Sequence, residues 1–428
     1  MTRSRIKSVV LLLLVCISVA LSYLLWSGRL QQTGEVVYGE ADGLTNAEDP
    51  QPETALSPVR WVLTAAKPQG VHVAVAGGAE FSQWQRLLAG VRVENLHPIA
   101  GVPAANGWTA RVEFGTALPF RLLSAWVPGL NSLGLLGKAR DITLYVPPGG
   151  RTVRLWMSGG AVLYGADTDL DPQAFQRAIE NAAAEPAWVD WNADTDSFIP
   201  GAGQPMRTFR VHRENAPLLP LVHTFFVNPM ALTRMDENDH TVLWTDGTRV
   251  VSWDKRENTL SYTDPNPPQP SEDSDPDPGD VLQFIRGHGG TEDFSRLDDS
   301  DVTGAVASYQ FHPYVDGYPV LTANAASQLE IQGGHVVSYR RPVANLSNPV
   351  SDGTVTVMGA PALKAILQKL MPNTPVGTLT VRLGYALTGA AAKDGMRLQP
   401  AYFVSQSGLP LWVIDAVNGR VLQGMSGS

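Results

Sequence analysis

The uncharged run over residues 9–26 constrains this chain more than any other stretch of it. Wound as a helix, its roughly 18 residues rise about 27 Å, close to the roughly 30 Å hydrocarbon thickness of a bilayer. Arg3, Arg5 and Lys7 stand before it, and a basic flank is retained on the cytoplasmic side. The pattern predicts a cytoplasmic basic terminus over 1–8, a single transmembrane helix over 9–26, and an extracytoplasmic location for the rest of the chain. Val9, Leu12, Cys16, Val19, Tyr23 and Trp26 are the expected anchor residues, with Tyr23 and Trp26 at the far interface. Removal as a signal peptide is the competing reading. Leu21 and the bulky residues 23–26 do not make the small-residue cleavage pattern it requires.

Charge and cysteine usage narrow the function classes. The formal charge is -9, from 32 Lys plus Arg against 41 Asp plus Glu, which excludes a broadly basic nucleic-acid binder. Without Arg3, Arg5, Lys7 and Arg29 the rest of the chain stands near -13, so an anionic membrane surface offers it no broad attraction and the helix must carry the anchoring. Cys16 is the single cysteine, and no intrachain disulfide or all-cysteine metal centre can be built from it. At 428 residues the chain exceeds one hydrophobic core, and two or three folded units are expected outside the membrane.

Residues 27–58 mix acidic, glycine and proline positions and read as a juxtamembrane linker. A first exterior domain is expected over 59–205. In it Phe81, Trp84, Leu87 and Leu88 make a helical stripe, while Trp108, Ala110, Val112 and Phe114 alternate as one face of a strand. Ile142, Leu144 and Val146 alternate up to Pro147, and Val153, Leu155 and Met157 resume the pattern as a returning strand. Asp171 before Pro172 caps a helix carrying Phe175, Ile179 and Ala182. Trp188, Trp191, Phe198 and Pro200 could line an aromatic groove, but their irregular spacing suits core corners at a domain boundary better.

A second exterior domain is expected over 206–345. The turn Asp246-Gly247 reverses two strand patterns, and Asp316-Gly317 and Gly333-Gly334 supply further turns. Between them lies an acidic, proline-rich loop over 264–280, through which no regular strand should pass. Asp280 with Gln283 is expected to cap a short helix carrying Leu282 and Ile285. A C-terminal domain is expected over 346–428, where Leu363, Ile366, Leu367 and Leu370 line a helix face and Leu379, Val381 and Leu383 alternate on a strand. The class this predicts is α+β: a transmembrane helix followed by three mixed α/β exterior domains with mainly antiparallel sheets.

Chemistry is sparse. Asp273, Asp275 and Asp277 alternate like calcium ligands, but Pro278 and Phe284 occupy the sixth and twelfth positions, where that loop needs glycine and glutamate. The histidines, His72, His97, His212, His223, His240, His288, His312 and His335, are scattered and lack zinc-site spacing. Gly287-His288-Gly289-Gly290 reads as a connecting loop rather than an oxyanion or phosphate cradle. Arg340-Arg341 reads as a surface pair or a carboxylate contact. No catalytic, cofactor-binding or metal residue is assigned, and no cofactor is expected.

Taken together the chain resembles the YycH regulatory family. The resemblance rests on the basic terminus with its span, and on Leu243-Trp244-Thr245-Asp246-Gly247 with Asn258-Thr259-Leu260-Ser261-Tyr262. It rests also on the stretch from Tyr309-Gln310-Phe311-His312-Pro313-Tyr314 through Val315-Asp316-Gly317-Tyr318-Pro319-Val320, and on Val337-Ser338-Tyr339-Arg340-Arg341-Pro342. It covers the anchor and most of the exterior and is most specific after Leu218. The acidic loop over 264–280 is longer than the family pattern.

That resemblance implies a non-enzymatic, membrane-anchored accessory of a Gram-positive cell-envelope pathway. It would restrain a WalK-like (YycG-like) sensor histidine kinase together with a YycI-like membrane protein, through association of transmembrane helices in the lipid bilayer. The last two exterior domains would resemble the YycI-type fold. Two rivals stand beside this: an extracytoplasmic ligand-binding or envelope-sensing module using its aromatic surfaces, and a metal-dependent hydrolase. Nucleic acid is not an expected partner.

Overall fold

In the computed structural model, residues 52–424 are described except 67–68, 105–106, 134–136, 183–186, 193–194, 268–276, 292–293, 305, 323 and 390–394. The anchor residues Val9, Leu12, Cys16, Val19, Tyr23 and Trp26 lie outside the described residues. Among the described residues no helix is long and apolar enough to cross a membrane.

The described chain opens with a short helix, α1 (Pro52–Ala55), and then builds a first sheet. Its elements are β1 (Arg60–Ala66), β2 (Gln69–Val75), α2 (Ala79–Ala89), β3 (Val93–Pro98), β4 (Thr109–Pro119) and α3 (Phe120–Leu123). They continue with β5 (Lys138–Tyr145), β6 (Arg154–Ser158), β7 (Tyr164–Thr168), α4 (Pro172–Ala182), β8 (Trp188–Asn192) and β9 (Ser197–Pro200). The strand order is β3-β7-β6-β5-β4-β1-β2-β8-β9. Antiparallel register puts Leu63 opposite Ala110, and Ala110 opposite Leu144, on one face. Because side chains alternate with period two, that face is continuous and apolar. Helices α2 and α4 cover it: Trp84 lies 5.8 Å from Trp61 and 6.1 Å from Phe175, ring centroid to centroid. Asp171 Oδ1 accepts from the Ala174 amide at 2.7 Å, so α4 starts where its cap and proline predict.

Next comes β10 (Gln204–Asn215), whose partners come from the far end of the chain. A second sheet intervenes. It contains α5 (Leu218–His223), β11 (Thr233–Asp236), β12 (Thr241–Thr245), β13 (Val250–Asp254), β14 (Thr259–Thr263) and α6 (Pro278–Gly287). It ends with β15 (Ser295–Thr303), β16 (Val306–Val315), β17 (Tyr318–Pro319), β18 (Ser327–Gln332) and β19 (His335–Pro342). The order is β11-β12-β13-β14-β19-β18-β16-β15. Gly247 takes φ 89° in the turn between β12 and β13, a conformation that glycine adopts without a Cβ penalty. Phe284 of α6 packs on this sheet, with Tyr339 edge-on at 5.5 Å and Tyr262 at 6.0 Å.

The third sheet is completed by β20 (Ala344–Val357), α7 (Ala360–Leu370), β21 (Thr380–Thr388), β22 (Met396–Gln406), β23 (Leu409–Asp415) and β24 (Val421–Gly424). Its order is β20-β10-β22-β23-β24, with β21 also paired to β22. Leu363 and Leu367 of α7 are buried against Val381, Leu398 and Tyr402. The same core takes in Trp188 and Phe198 from the first sheet and Val315 and Val320 from the second. Trp191 donates its indole N–H to the Val376 carbonyl at 3.1 Å. The aromatics from Trp188 to Phe198 are thus core corners between the first and third sheets.

The fold is mixed α/β with mainly antiparallel sheets. The expected partition at 206 and 346 needs correction. Residues of β10 belong to the third sheet with β20 and β22, and the whole second sheet is inserted between β10 and β20. Phe209 and Val211 of β10 are buried, and that alternation looks the same whichever sheet receives it. The linker boundary at 58 also moves: residues 52–58 are folded, with Ala55 and Leu56 buried.

Candidate functional site

The candidate site is built where residues 52–58 join the folded body. Helix α1 is followed by Leu56, 2% exposed, and α1 packs against β15 and α6 of the second sheet. Burying a leucine is worth roughly 1.5–3 kcal/mol, enough to hold so short a helix in place. Two hydrogen bonds fix the next residues. The Val59 amide donates to the Glu113 carbonyl of β4 at 2.8 Å. Arg296 Nη1 of β15 donates to the Pro58 carbonyl at 3.1 Å. The tether is therefore clamped to the first and second sheets before it becomes β1.

From Arg296 a polar chain runs to the third sheet. Its guanidinium lies over the Tyr314 ring of β16, 5.3 Å from the centroid, a cation–π geometry. Burial holds the Arg296 pKa below its ordinary value, opposed by Tyr314. The Tyr314 hydroxyl donates to Asp298 of β15. Arg382 of β21 then takes both Asp298 oxygens through Nη2, at 2.8 and 2.7 Å. Burial works against ionisation of Asp298, yet Arg382, His312 and the Tyr314 hydroxyl outweigh it and hold the carboxyl below its usual range. Arg382 is raised in turn: burial opposes its charge, and Asp298 prevails. His312 Nε2 stands 3.9 Å from Asp298 Oδ2, and burial lowers its pKa in spite of that carboxylate.

A second clamp joins the first and second sheets. Arg121 of α3 pairs with Asp277, whose Oδ1 also accepts from the Gly279 amide at 2.8 Å at the start of α6. The cap is Asp277, with Pro278 first in the helix, so the expected Asp280–Gln283 cap is corrected: proline tolerates the first turn because its absent N–H would be unpaired there. Close by, Gly115 of β4 approaches Leu297 of β15 so nearly that a Cβ would lie 2.1 Å from the Leu297 carbonyl oxygen.

One further sequence reading changes. Arg341 is 1% exposed rather than a surface residue. It donates to carbonyls of His288 at 2.8 Å, Gly290 at 2.9 Å and Pro342 at 3.1 Å, and to Asn345 Oδ1 at 3.2 Å. The Gly287–Gly290 loop is thus the acceptor of a buried guanidinium, and Gly289 is required at φ 88° because a Cβ would meet Leu221 and Arg341. The buried histidines hold separate partners: His72 pairs with Glu80 at 2.6 Å, His288 with the Phe284 carbonyl at 2.6 Å and His312 with the Val320 carbonyl at 3.1 Å. Among the described residues no group of three or more His, Cys, Asp or Glu residues is placed to hold a metal ion. The anchor residues Val9, Leu12, Cys16, Val19, Tyr23 and Trp26 lie outside the described residues.

Sequence reasoning missed Arg296, Asp298, Tyr314 and Arg382. Arg382 sits between Val381 and Leu383, where a charge at alternate positions reads as a solvent face. That face meets the second sheet instead.

Comparison with known proteins agrees with this fold. None of the curated proteins matches the chain. The crystal structure of YycH from Bacillus subtilis superposes with a TM-score of 0.61 at 12% identity, over 85% of this chain and 98% of that one, which shows a shared fold. The YpeB C-terminal domain of Bacillus megaterium reaches a TM-score of 0.24 at 10% identity, over 50% of this chain and 97% of that one, too low to support a common fold. Residues 194–416, which hold the inserted second sheet and the third sheet except β24, match the family described as YycH protein, C-terminal domain. The chain belongs to the YycH family.

Proposed function

We propose that this chain is a membrane-anchored negative regulator of a sensor histidine kinase in cell-envelope homeostasis. The helix over 9–26 spans the membrane with the N-terminus cytoplasmic, and it associates with helices of a WalK-like (YycG-like) kinase and a YycI-like partner. The exterior comprises three α/β units, the last two of YycI type. Family membership supports the regulatory role, and the uncharged run behind Arg3, Arg5 and Lys7 supports the anchor.

The observation that carries the coupling is the seat of the tether. Leu56 is buried and Pro58 is bonded to Arg296, so the chain running back towards the anchor starts from a fixed point on the exterior, at residues 52–58. A regulator shifts a kinase between two arrangements only if it binds them with unequal affinity. A seated tether lets the exterior body bias the position of the helix; a loose one would disconnect the two.

The test is a reconstituted kinase assay comparing the full chain with variants along each face of the helix, and with Leu56→Asp. Face substitutions at Leu12, Cys16 or Val19 and the Leu56 variant should each weaken inhibition. Full inhibition by every variant would overturn the reading.

A further inference from the structure

Between Asn215 and Arg234 the sequence carries no Asp, Glu, Lys or Arg, although charged residues make up 17% of the chain. This stretch forms a cap beside the β11 edge of the second sheet. Leu221, Val222, Phe225 and Phe226 turn inward and are buried. Phe225 stacks on Tyr262 at 5.2 Å and lies 4.4 Å from His288, which fixes the base of the cap. Three further apolar side chains are exposed: Leu219 is 51% exposed, Val227 74% and Met230 93%.

The protrusion is built rather than slack. Met230 sits in a 3₁₀ turn, Pro229–Ala231, opened by Asn228, whose Oδ1 accepts from the Met230 amide at 3.3 Å. The Ala231 amide returns to the Asn228 carbonyl at 3.1 Å. The first charges beyond the cap, Arg234 and Asp236, neutralise each other through two hydrogen bonds of 3.0 and 2.9 Å. An ordered, uncharged projection of valine and methionine from an otherwise acidic body is matched to an apolar surface, where burying the side chains is favourable and no ion must be stripped of water.

We propose that the cap over 216–233 rests in the interfacial layer of the lipid bilayer, with Val227 and Met230 inserted among the lipids. Two features of the chain select lipid over a protein groove. The charge-free cap matches a hydrocarbon boundary and offers no salt bridge to a partner. The chain between the predicted anchor and the folded body is short: 25 residues separate Trp26 from Pro52, a span of at most about 85 Å when fully extended. That tether keeps the body beside the membrane, and a weak insertion becomes effective because the second contact is intramolecular. The inference rests on the anchored reading.

The test uses the full chain carrying Cys16→Ala, reconstituted in phosphatidylcholine vesicles, with single labels at Met230→Cys, Val227→Cys or Val417→Cys. Val417, in the turn between β23 and β24 and 40% exposed, is the control. An environment-sensitive fluorophore at Met230 and Val227 should shift to the blue, lose emission to spin-labelled lipid and be shielded from iodide, while the Val417 label shows the reverse. Adding Val227→Glu to the Met230→Cys chain should abolish the lipid quenching. Cap labels as open to iodide as the control would overturn the proposal. So would labels shielded from iodide but untouched by lipid, since a second copy would then cover the cap. A chain that fails to float with the vesicles sinks both the anchor and the cap, whereas a floating chain with its cap in water sinks the cap alone.

Discussion

Arg382 of the third sheet holds Asp298 of the second through both carboxylate oxygens, at 2.8 and 2.7 Å, with the Asp298 side chain only 1% exposed. The pair locks β21 to β15 without a covalent link. Removing the arginine is costly, because the buried carboxylate keeps its desolvation cost and loses its partner.

Arg382→Met should therefore destabilise the protein by about 3–5 kcal/mol. Replacing the whole group, with Asp298→Leu, Arg382→Met and Tyr314→Phe together, should recover most of that loss, since no ion or lone hydroxyl then remains unpaired. Urea denaturation of the two variants decides it. Equal losses would mean that packing rather than charge holds this junction.

Gly115→Val should separate the first and second sheets at β4 and β15, because the new Cβ would stand 2.1 Å from the Leu297 carbonyl oxygen. Hydrogen exchange should rise at residues 295–303 and at 52–58, while α7 stays protected. Exchange unchanged at those segments would show that the backbone relieves the contact by itself.

His288 should make stability depend on pH between about 4 and 6.5. Burial lowers its folded pKa to about 4, with the Phe284 carbonyl opposing. The unfolded histidine takes a proton near 6.5, so stability is complete above that pH and declines as pH falls towards 4, by on the order of 3 kcal/mol. His288→Gln should flatten this slope in denaturation measured across the window; a slope left intact would assign it to other groups.

Asp141 works in the opposite direction. Burial and the directly paired Glu113 push its carboxyl up to about 7. The folded state prefers it protonated, so its contribution weakens as pH rises from near 4 through 7. Asp141→Asn should raise the melting temperature relative to the parent at pH 8, with the difference vanishing towards pH 4. A difference independent of pH would point to a cause other than titration.

Much of the local structure is legible in the sequence because it depends on neighbouring residues. Phe81, Trp84 and Leu88 face the first sheet from α2 as their spacing requires, and Ile142 with Leu144 and Leu155 with Met157 mark two paired strands. Asp277 reads as a loop residue although it caps α6, because proline at the first helical position and the acidic residues around it offer two competing starts, Asp277 and Asp280.

By itself the sequence determined the alternation of each strand, the stripe of each helix, the exclusion of disulfide chemistry and the uncharged run over 9–26. Tertiary structure decided which strands meet. Phe209 and Val211 say that β10 is buried on one face, but nothing local says that its partners begin about 130 residues later at β20. Nor does Arg382, flanked by valine and leucine, reveal that its face meets Asp298 instead of water. Period and propensity are properties of adjacent residues, whereas the choice of partner is a free-energy comparison among surfaces that come together only when the whole chain has folded.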